Sequence, residues 1–194
     1  MKPDIVLDIK ELYGQPILAG AGNGKEFLST LIGKLPNERR NILVALDLRR
    51  VDIVTASFFR TAFRALRDYA RSMGIGSLVF MNSNITTKEE IELYADSTND
   101  VFILATLDKQ GEIETPRLAG RIDDKQTRAL QALMEYGEAH AAELCLKMPE
   151  VPPVSPSAWN NRLTALAAKG IVVERTEGRL KKYRPIFGGI RYGT

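Results

Sequence analysis

The chain has 194 residues, of which 44% are hydrophobic and 26% are charged, and its formal net charge is +3. This composition is typical of a globular protein with a well-formed core, and the length suits two domains of about 100 residues each. No apolar run approaches the roughly 20 residues that span a bilayer, and the N-terminus carries acids that a signal peptide lacks. The single cysteine, Cys145, excludes an internal disulfide. We therefore expect a cytoplasmic protein without a membrane segment.

The first part of the chain predicts a strand, a glycine-rich turn and a helix. Residues 4–12 alternate partly between apolar and polar side chains, which indicates a strand. The three glycines before Lys25 match neither a Walker phosphate loop, which needs a glycine where Ala19 stands, nor a dinucleotide-binding fingerprint. We therefore expect these glycines to form a turn, and we predict no cofactor. The helix that follows should bury Phe27, Leu28, Leu31 and Ile32.

Apolar runs and helical patterns alternate between residues 41 and 120. The runs at 41–48, 77–81 and 100–107 are typical of buried strands, and a hairpin follows the third. The predicted helices cover about 57–73 and 87–94, the second capped by Thr86 or Thr87. The outer side of the first helix should carry Arg60, Arg64, Arg67 and Arg71. This alternation predicts an α/β fold for a first domain over residues 1–120.

A family resemblance appears where a strand ending in Leu46-Asp47-Leu48 leads through a turn to Ser57, at the start of an apolar helix. With the glycine-rich turn and helix before it, this segment resembles a STAS domain, and more closely the STAS-like domains (DUF4325 group) of bacterial regulatory proteins. The resemblance covers roughly residues 1–110 and implies a mixed sheet with helices and a protein partner.

The same resemblance draws attention to one serine. STAS domains of anti-sigma-factor antagonists are phosphorylated on the second Ser of an Asp-Ser-Ser-Gly turn. When the chain is aligned on Asp47-Leu48, those four positions are Thr55, Ala56, Ser57 and Phe58, so only the phosphoacceptor position is retained. The resemblance thus implies a possible phosphoacceptor at Ser57. The residues alone favour a simpler role, in which Ser57 or Thr55 caps the helix.

From residue 121 to 194 the pattern predicts three helices and a hairpin. Asp123 or Asp124 can cap the first helix, Gly137 ends it, and residues 138–146 form the second. A proline-rich segment then leads to a third helix with Ser155 as its cap. The apolar stripe of that helix is Trp159, Leu163, Leu166 and Ala167. Strands over 171–175 and 180–185 follow, joined by residues 176–179.

This order of helix, glycine stop and basic hairpin resembles the recognition helix and wing of a winged helix-turn-helix domain, and more loosely the MarR-like and ArsR-like regulators. Residues 155–194 contain 8 basic and 2 acidic side chains, whereas residues 1–122 are balanced, so the charge favours a surface that meets phosphates. The resemblance implies binding to duplex DNA through Ser157, Asn160, Asn161, Arg162, Thr164, Arg175, Arg179, Lys181 and Lys182. Arg162 has an alternative role, which is to anchor a phosphate or pair with the domain's own acids.

No catalytic or metal-binding motif occurs in the chain. The only histidine, His140, falls in the second predicted helix of the second domain and should face solvent. We therefore predict that the protein is not an enzyme and binds no metal. The leading hypothesis is a DNA-binding regulatory protein whose first domain contacts a protein partner or a second copy, as a possible homodimer. The alternatives are a protein-interaction module and a phosphorylation-gated antagonist, neither of which would bind DNA.

Overall fold

The structure is a computed structural model, and it describes residues 1–37 and 41–190. The protein is a mixed α/β protein, which confirms the predicted class. The described chain forms two compact units, Met1–Arg121 and Ile122–Ile190. Residues 191–194, which end the predicted second domain, lie outside the described residues.

A five-stranded sheet forms the centre of the first unit. Its strands are β1 Ile5–Asp8, β3 Ile42–Asp47, β5 Gly76–Met81, β6 Phe102–Leu107 and β7 Ile113–Ala119, in that spatial order. The first four run parallel and β7 is antiparallel to β6. A separate parallel pair joins β2 Ile17–Leu18 to β4 Ile53–Val54. All six residues of β5 are buried, as the uninterrupted apolar run predicts.

In residues 1–37 and 41–121, four helices accompany this sheet: α1 Ile9–Tyr13, α2 Ala21–Ile32, α3 over 56–72 and α4 Ile85–Thr98. Helix α3 is α-helical over Ala56–Phe59, π-helical over Arg60–Arg64 and α-helical again over Ala65–Ser72. Aromatic rings of α3 pack on the sheet, and the closest pair is Phe59 and Phe102, with 4.7 Å between ring centroids in an edge-to-face arrangement. These contacts form the core of the unit.

Two predictions for the N-terminal segment are wrong. The strand ends at Asp8, because the Asp8 carboxylate accepts the backbone N–H of Glu11 and so caps α1. Gly22 and Gly24 lie inside α2 rather than in a turn. A Cβ at Gly24 would stand 2.9 Å from the carbonyl oxygen of Phe58 and would also collide with the Thr61 hydroxyl, so this glycine lets α2 approach α3 closely.

Two predictions for the helices of this unit are also wrong. Arg67 is 6% exposed rather than on an outer face, because it pairs with Asp100, 33 residues further along the chain. Helix α4 starts before the predicted Thr87 and continues past Tyr94 to Thr98. Its cap is Asn84, whose side chain accepts the backbone N–H of Thr87 at 2.8 Å.

The second unit contains three helices and a three-stranded antiparallel sheet. Its elements are α5 Asp124–Tyr136, β8 Ala139–His140, α6 Ala141–Lys147, α7 Pro156–Ala168, β9 Val172–Glu177 and β10 Leu180–Pro185. Strand β10 lies between β8 and β9. As predicted, Ser155 caps α7 by accepting the N–H of Ala158, and Trp159 is buried.

Two local predictions for this unit need correction. The helix predicted over 138–146 begins only at Ala141, because His140 instead pairs with Lys182 in the sheet. The hairpin turn has two residues rather than four, since Glu177 faces Leu180 across the ladder. Gly178 begins this turn with a φ of 63°, a conformation that a glycine adopts without strain.

Candidate nucleic-acid interface

Helix α7 presents a face of short, uncharged side chains. Ser157, Asn161 and Ala168 are exposed, with Thr164 partly exposed between them, and the spacing of three and four residues aligns them along one side. The opposite side of the helix is buried and apolar. No aspartate or glutamate occurs in Pro156–Ala168. The exposed face can therefore approach a polyanion without repulsion from a carboxylate of its own helix.

Two of the predicted DNA-contacting residues are bound to a buried tyrosine. The hydroxyl of Tyr183 donates to Oδ1 of Asn160 at 3.0 Å and lies 3.0 Å from the hydroxyl of Thr164. Because the single Tyr183 proton goes to Asn160, the Thr164 hydroxyl is the donor in the second bond. Burial raises the pKa of Tyr183 above its ordinary value, which favours the protonated hydroxyl that donates to Asn160. Asn161 is the asparagine whose amide stands on the exposed side.

Arg162 pairs with an acid of its own unit, which is one of the roles that the sequence allows for it. Its side chain is buried, and its two terminal nitrogens bond to the two carboxylate oxygens of Glu150, the second at 3.2 Å. The guanidinium carbon also lies 5.3 Å from the ring centroid of Trp159. Hydrogen bonding from Arg162 lowers the pKa of Glu150. This pair fastens the proline-rich segment to α7, so Arg162 is not presented at the surface.

The hairpin has two faces, and the predicted basic residues are divided between them. Tyr183 is buried opposite Glu174, and alternation along β10 places Lys181 on the same face as Tyr183. This is the face towards α7, because Tyr183 bonds to α7 side chains. Lys182 and its cross-strand neighbour Arg175 lie on the opposite face. Arg179 lies in the turn that joins the strands.

Three of the five hairpin cations are paired with acids of the same unit. Nζ of Lys181 lies 2.8 Å from Glu174, Nζ of Lys182 lies 2.6 Å from Glu177, and Arg175 lies 3.3 Å from Glu138. The hydrogen bonds with their glutamates raise the pKa of Lys181 and of Lys182. Within the part of the chain that the structure describes, Arg179 and Arg184 are exposed and have no ion pair, and Arg184 lies on the same face as Lys182.

The charge of the unit is consequently smaller than the sequence window suggested. Residues 122–190 contain ten basic and eight acidic side chains, a net charge of +2 with His140 neutral. Glu138 and Glu150 lie before residue 155 in the sequence yet bond to cations after it. Pairing of this kind spans 12 to 37 residues, so the sequence alone did not indicate it.

The histidine belongs to the sheet rather than to a solvent-facing helix. Nδ1 of His140 lies 3.0 Å from the carbonyl oxygen of Lys181, and its backbone N–H donates to the carboxylate of Glu143 at 2.8 Å. Nε2 lies 3.9 Å from Glu177, on the hairpin face that carries Lys182. These contacts place His140 next to the hairpin cations.

In the first unit, Ser57 lies at the start of α3. Thr55 is the cap, and its hydroxyl accepts the backbone N–H of Phe58 at 3.4 Å. The hydroxyl of Ser57 lies 3.3 Å from that of Thr55 and is partly exposed. Of the two residues that could cap the helix, Thr55 is therefore the one that does. The Ser57 hydroxyl lies near the helix N-terminus, where the helix dipole favours negative charge.

Within residues 1–37 and 41–190, no group of three or more histidine, cysteine, aspartate or glutamate side chains is placed to hold a metal ion. No helix in the same residues is long and apolar enough to cross a membrane. No protein-family model matches the chain, and no curated protein matches it. The sequence did not identify the buried Tyr183 as the partner of Asn160 and Thr164, nor Glu174 as the partner of Lys181. The available signal was the spacing of two residues between Lys181 and Tyr183 on β10, which places them on one face.

Proposed function

We propose that the second unit binds duplex DNA, with α7 in the major groove and the β9–β10 hairpin against the phosphate backbone. The observation that carries this proposal is the exposed, acid-free face of α7, because a helix of this kind fits the major groove and can reach base edges. The element order of helix, strand, helix, helix, strand, strand and the sheet order β8–β10–β9 also support it, since both are expected of a winged helix.

The contacts expected with DNA are fewer than the sequence suggested. Asn161 is the best-placed base reader, because a free carboxamide can pair with adenine through both its oxygen and its nitrogen. The carboxamide of Asn160 has its oxygen committed to Tyr183. Lys181 and Arg179 are the cations on or beside the α7 side of the hairpin. Arg179 has no ion pair, so we assign it the phosphate contact, and Lys181 can add a second only when it leaves Glu174.

The proposal is tested by the fluorescence anisotropy of a labelled random-sequence duplex titrated with the full chain. With Lys181 held by Glu174, one phosphate neutralised by Arg179 gives a log–log salt slope of about −0.9, or about a 3.5-fold loss of affinity between about 50 and 200 mM salt. Charge reversal of Arg179 and Lys181 together should abolish binding. Reversal of Arg175 and Lys182 is the matched control and should weaken it less. Absence of binding at low salt contradicts the proposal.

The role of the first unit stays a prediction. Contact with a protein partner or a second copy would require a surface outside the core, and Ile17 and Ile53, which pair across β2 and β4, are 52% and 38% exposed. Light scattering of the purified chain tests the homodimer. Intact-mass spectrometry of the protein from its own host tests phosphorylation of Ser57.

A further inference from the structure

We propose that Glu174 limits the affinity of the second unit for duplex DNA by holding the ammonium group of Lys181. This inference rests on the proposed function and concerns the same surface. Oε1 of Glu174 lies 2.8 Å from Nζ of Lys181, a charge-assisted hydrogen-bond distance. Both side chains lie on the hairpin face that carries Tyr183, which is the face towards α7.

A DNA phosphate and the Glu174 carboxylate compete for the same cation. Lys181 must leave Glu174 before it can donate all its protons to a phosphate, and the released carboxylate then remains beside that phosphate. The Lys181 side chain is 45% exposed and that of Glu174 is 29% exposed, so the pair is open to exchange with an incoming anion. Glu174 thereby prevents one phosphate contact, and the affinity of the unit for a duplex of any sequence is lower as a result.

The Glu174–Lys181 pair affects overall affinity differently from sequence discrimination. Phosphate contacts supply nearly all of the affinity for random DNA, whereas base contacts depend on sequence. A carboxylate that suppresses a phosphate contact weakens binding to all duplexes and leaves discrimination to the exposed face of α7. Glu174 therefore sets the overall affinity of the unit for duplex DNA, and the ratio of affinities between sequences is left to base contacts.

The hairpin supplies a matched control for this idea. Glu177 lies on the same strand and also binds a neighbouring lysine, with 2.6 Å between its Oε2 and Nζ of Lys182. Alternation places this second pair on the opposite face. Replacing either glutamate by glutamine changes the net charge by the same amount and nearly preserves side-chain volume. A difference between Glu174→Gln and Glu177→Gln therefore measures position rather than charge.

The experiment compares the wild-type chain, Glu174→Gln and Glu177→Gln by anisotropy with a random-sequence duplex between about 50 and 200 mM salt. Glu174→Gln should bind more tightly, and its log–log salt slope should be more negative by about 0.9, the value for one additional phosphate. Its affinity advantage over wild type should then grow about 3.5-fold from the high to the low salt concentration. Glu177→Gln should keep the wild-type slope.

A double-mutant cycle confirms that the effect passes through Lys181. In a Lys181→Gln background, Glu174→Gln should leave the salt slope unchanged. The fluorescence of Trp159, the only tryptophan, verifies that each variant keeps the fold of this unit. Equal gains for the two glutamate variants, or no gain for Glu174→Gln while the wild type binds, would overturn the inference and leave DNA binding intact. Failure of every protein to bind at low salt would overturn both.

Discussion

The buried pair between Arg67 and Asp100 makes a strong prediction for the first unit. The two terminal nitrogens of Arg67 donate to the two carboxylate oxygens of Asp100 at 2.9 and 2.8 Å. Arg67 also donates to the carbonyl oxygen of Val101 at 3.0 Å and lies over the ring of Phe102. Because the two residues are only 6% and 8% exposed, removing the carboxylate in Asp100→Ala leaves a guanidinium charge with little access to water.

The expected loss of stability is large. Truncating one partner of a buried ion pair costs about 3–5 kcal/mol, and we expect the lower end of this range for Asp100→Ala because Arg67 keeps its hydrogen bonds to Asp68. Asp68 offers a matched control, since it also accepts hydrogen bonds from Arg67, at 3.2 and 3.1 Å. The Asp68 side chain is 49% exposed, so Asp68→Ala should cost less than about 1 kcal/mol.

Two spectroscopic signals distinguish the unfolding transitions of the two units in urea. Far-ultraviolet circular dichroism follows the helices of both units, whereas the fluorescence of Trp159 follows the second unit alone. Asp100→Ala should lower the midpoint of the first unit by at least about 1 M urea, given a dependence of about 1–3 kcal/mol per M. The Trp159 transition should not move. A midpoint for Asp100→Ala equal to that of Asp68→Ala would refute the reasoning.

Three further predictions concern packing, pH and the tyrosine. Gly24→Ala should destabilise the first unit by about 1–3 kcal/mol through overpacking against α3, whereas Gly22→Ala, with open space around its Cβ, should not destabilise it, as thermal melts can show. Burial raises the pKa of Asp100, but hydrogen bonds and charge from Arg67 lower that pKa overall. The Asp100 carboxylate therefore stabilises the fold above about pH 3.9, and this stabilisation is lost as the pH falls further. The difference in urea midpoint between wild type and Asp100→Asn should disappear below about pH 4. Tyr183→Phe removes two hydrogen bonds and should cost the second unit roughly 1–2 kcal/mol by Trp159 fluorescence; an unchanged midpoint would contradict this.

Local signals predicted the fold class and much of the element order, whereas distant contacts did not appear in the sequence. Ser155 and Pro156 marked the start of α7 correctly, because capping and the first-turn proline depend on adjacent residues. Arg67 was assigned to the outer face because its helix pattern could not show a carboxylate 33 residues away. The strand that ends at Asp8 was predicted too long, because the alternating pattern concealed a helix cap.

The same limit applies to the candidate interface, and it changes what kind of DNA binding we expect. The net charge of a stretch of sequence does not show on which face of a hairpin each cation lies. It also does not show which cations form ion pairs with acids of other elements. Once Arg162 is assigned to Glu150 and Lys181 to Glu174, the described residues leave little free positive charge on the α7 side beyond Arg179. Affinity for random DNA should therefore be weak, since that affinity depends on phosphate contacts. If the unit binds DNA tightly, the energy must come from base contacts along the exposed face of α7, so tight binding should depend strongly on sequence and only modestly on salt.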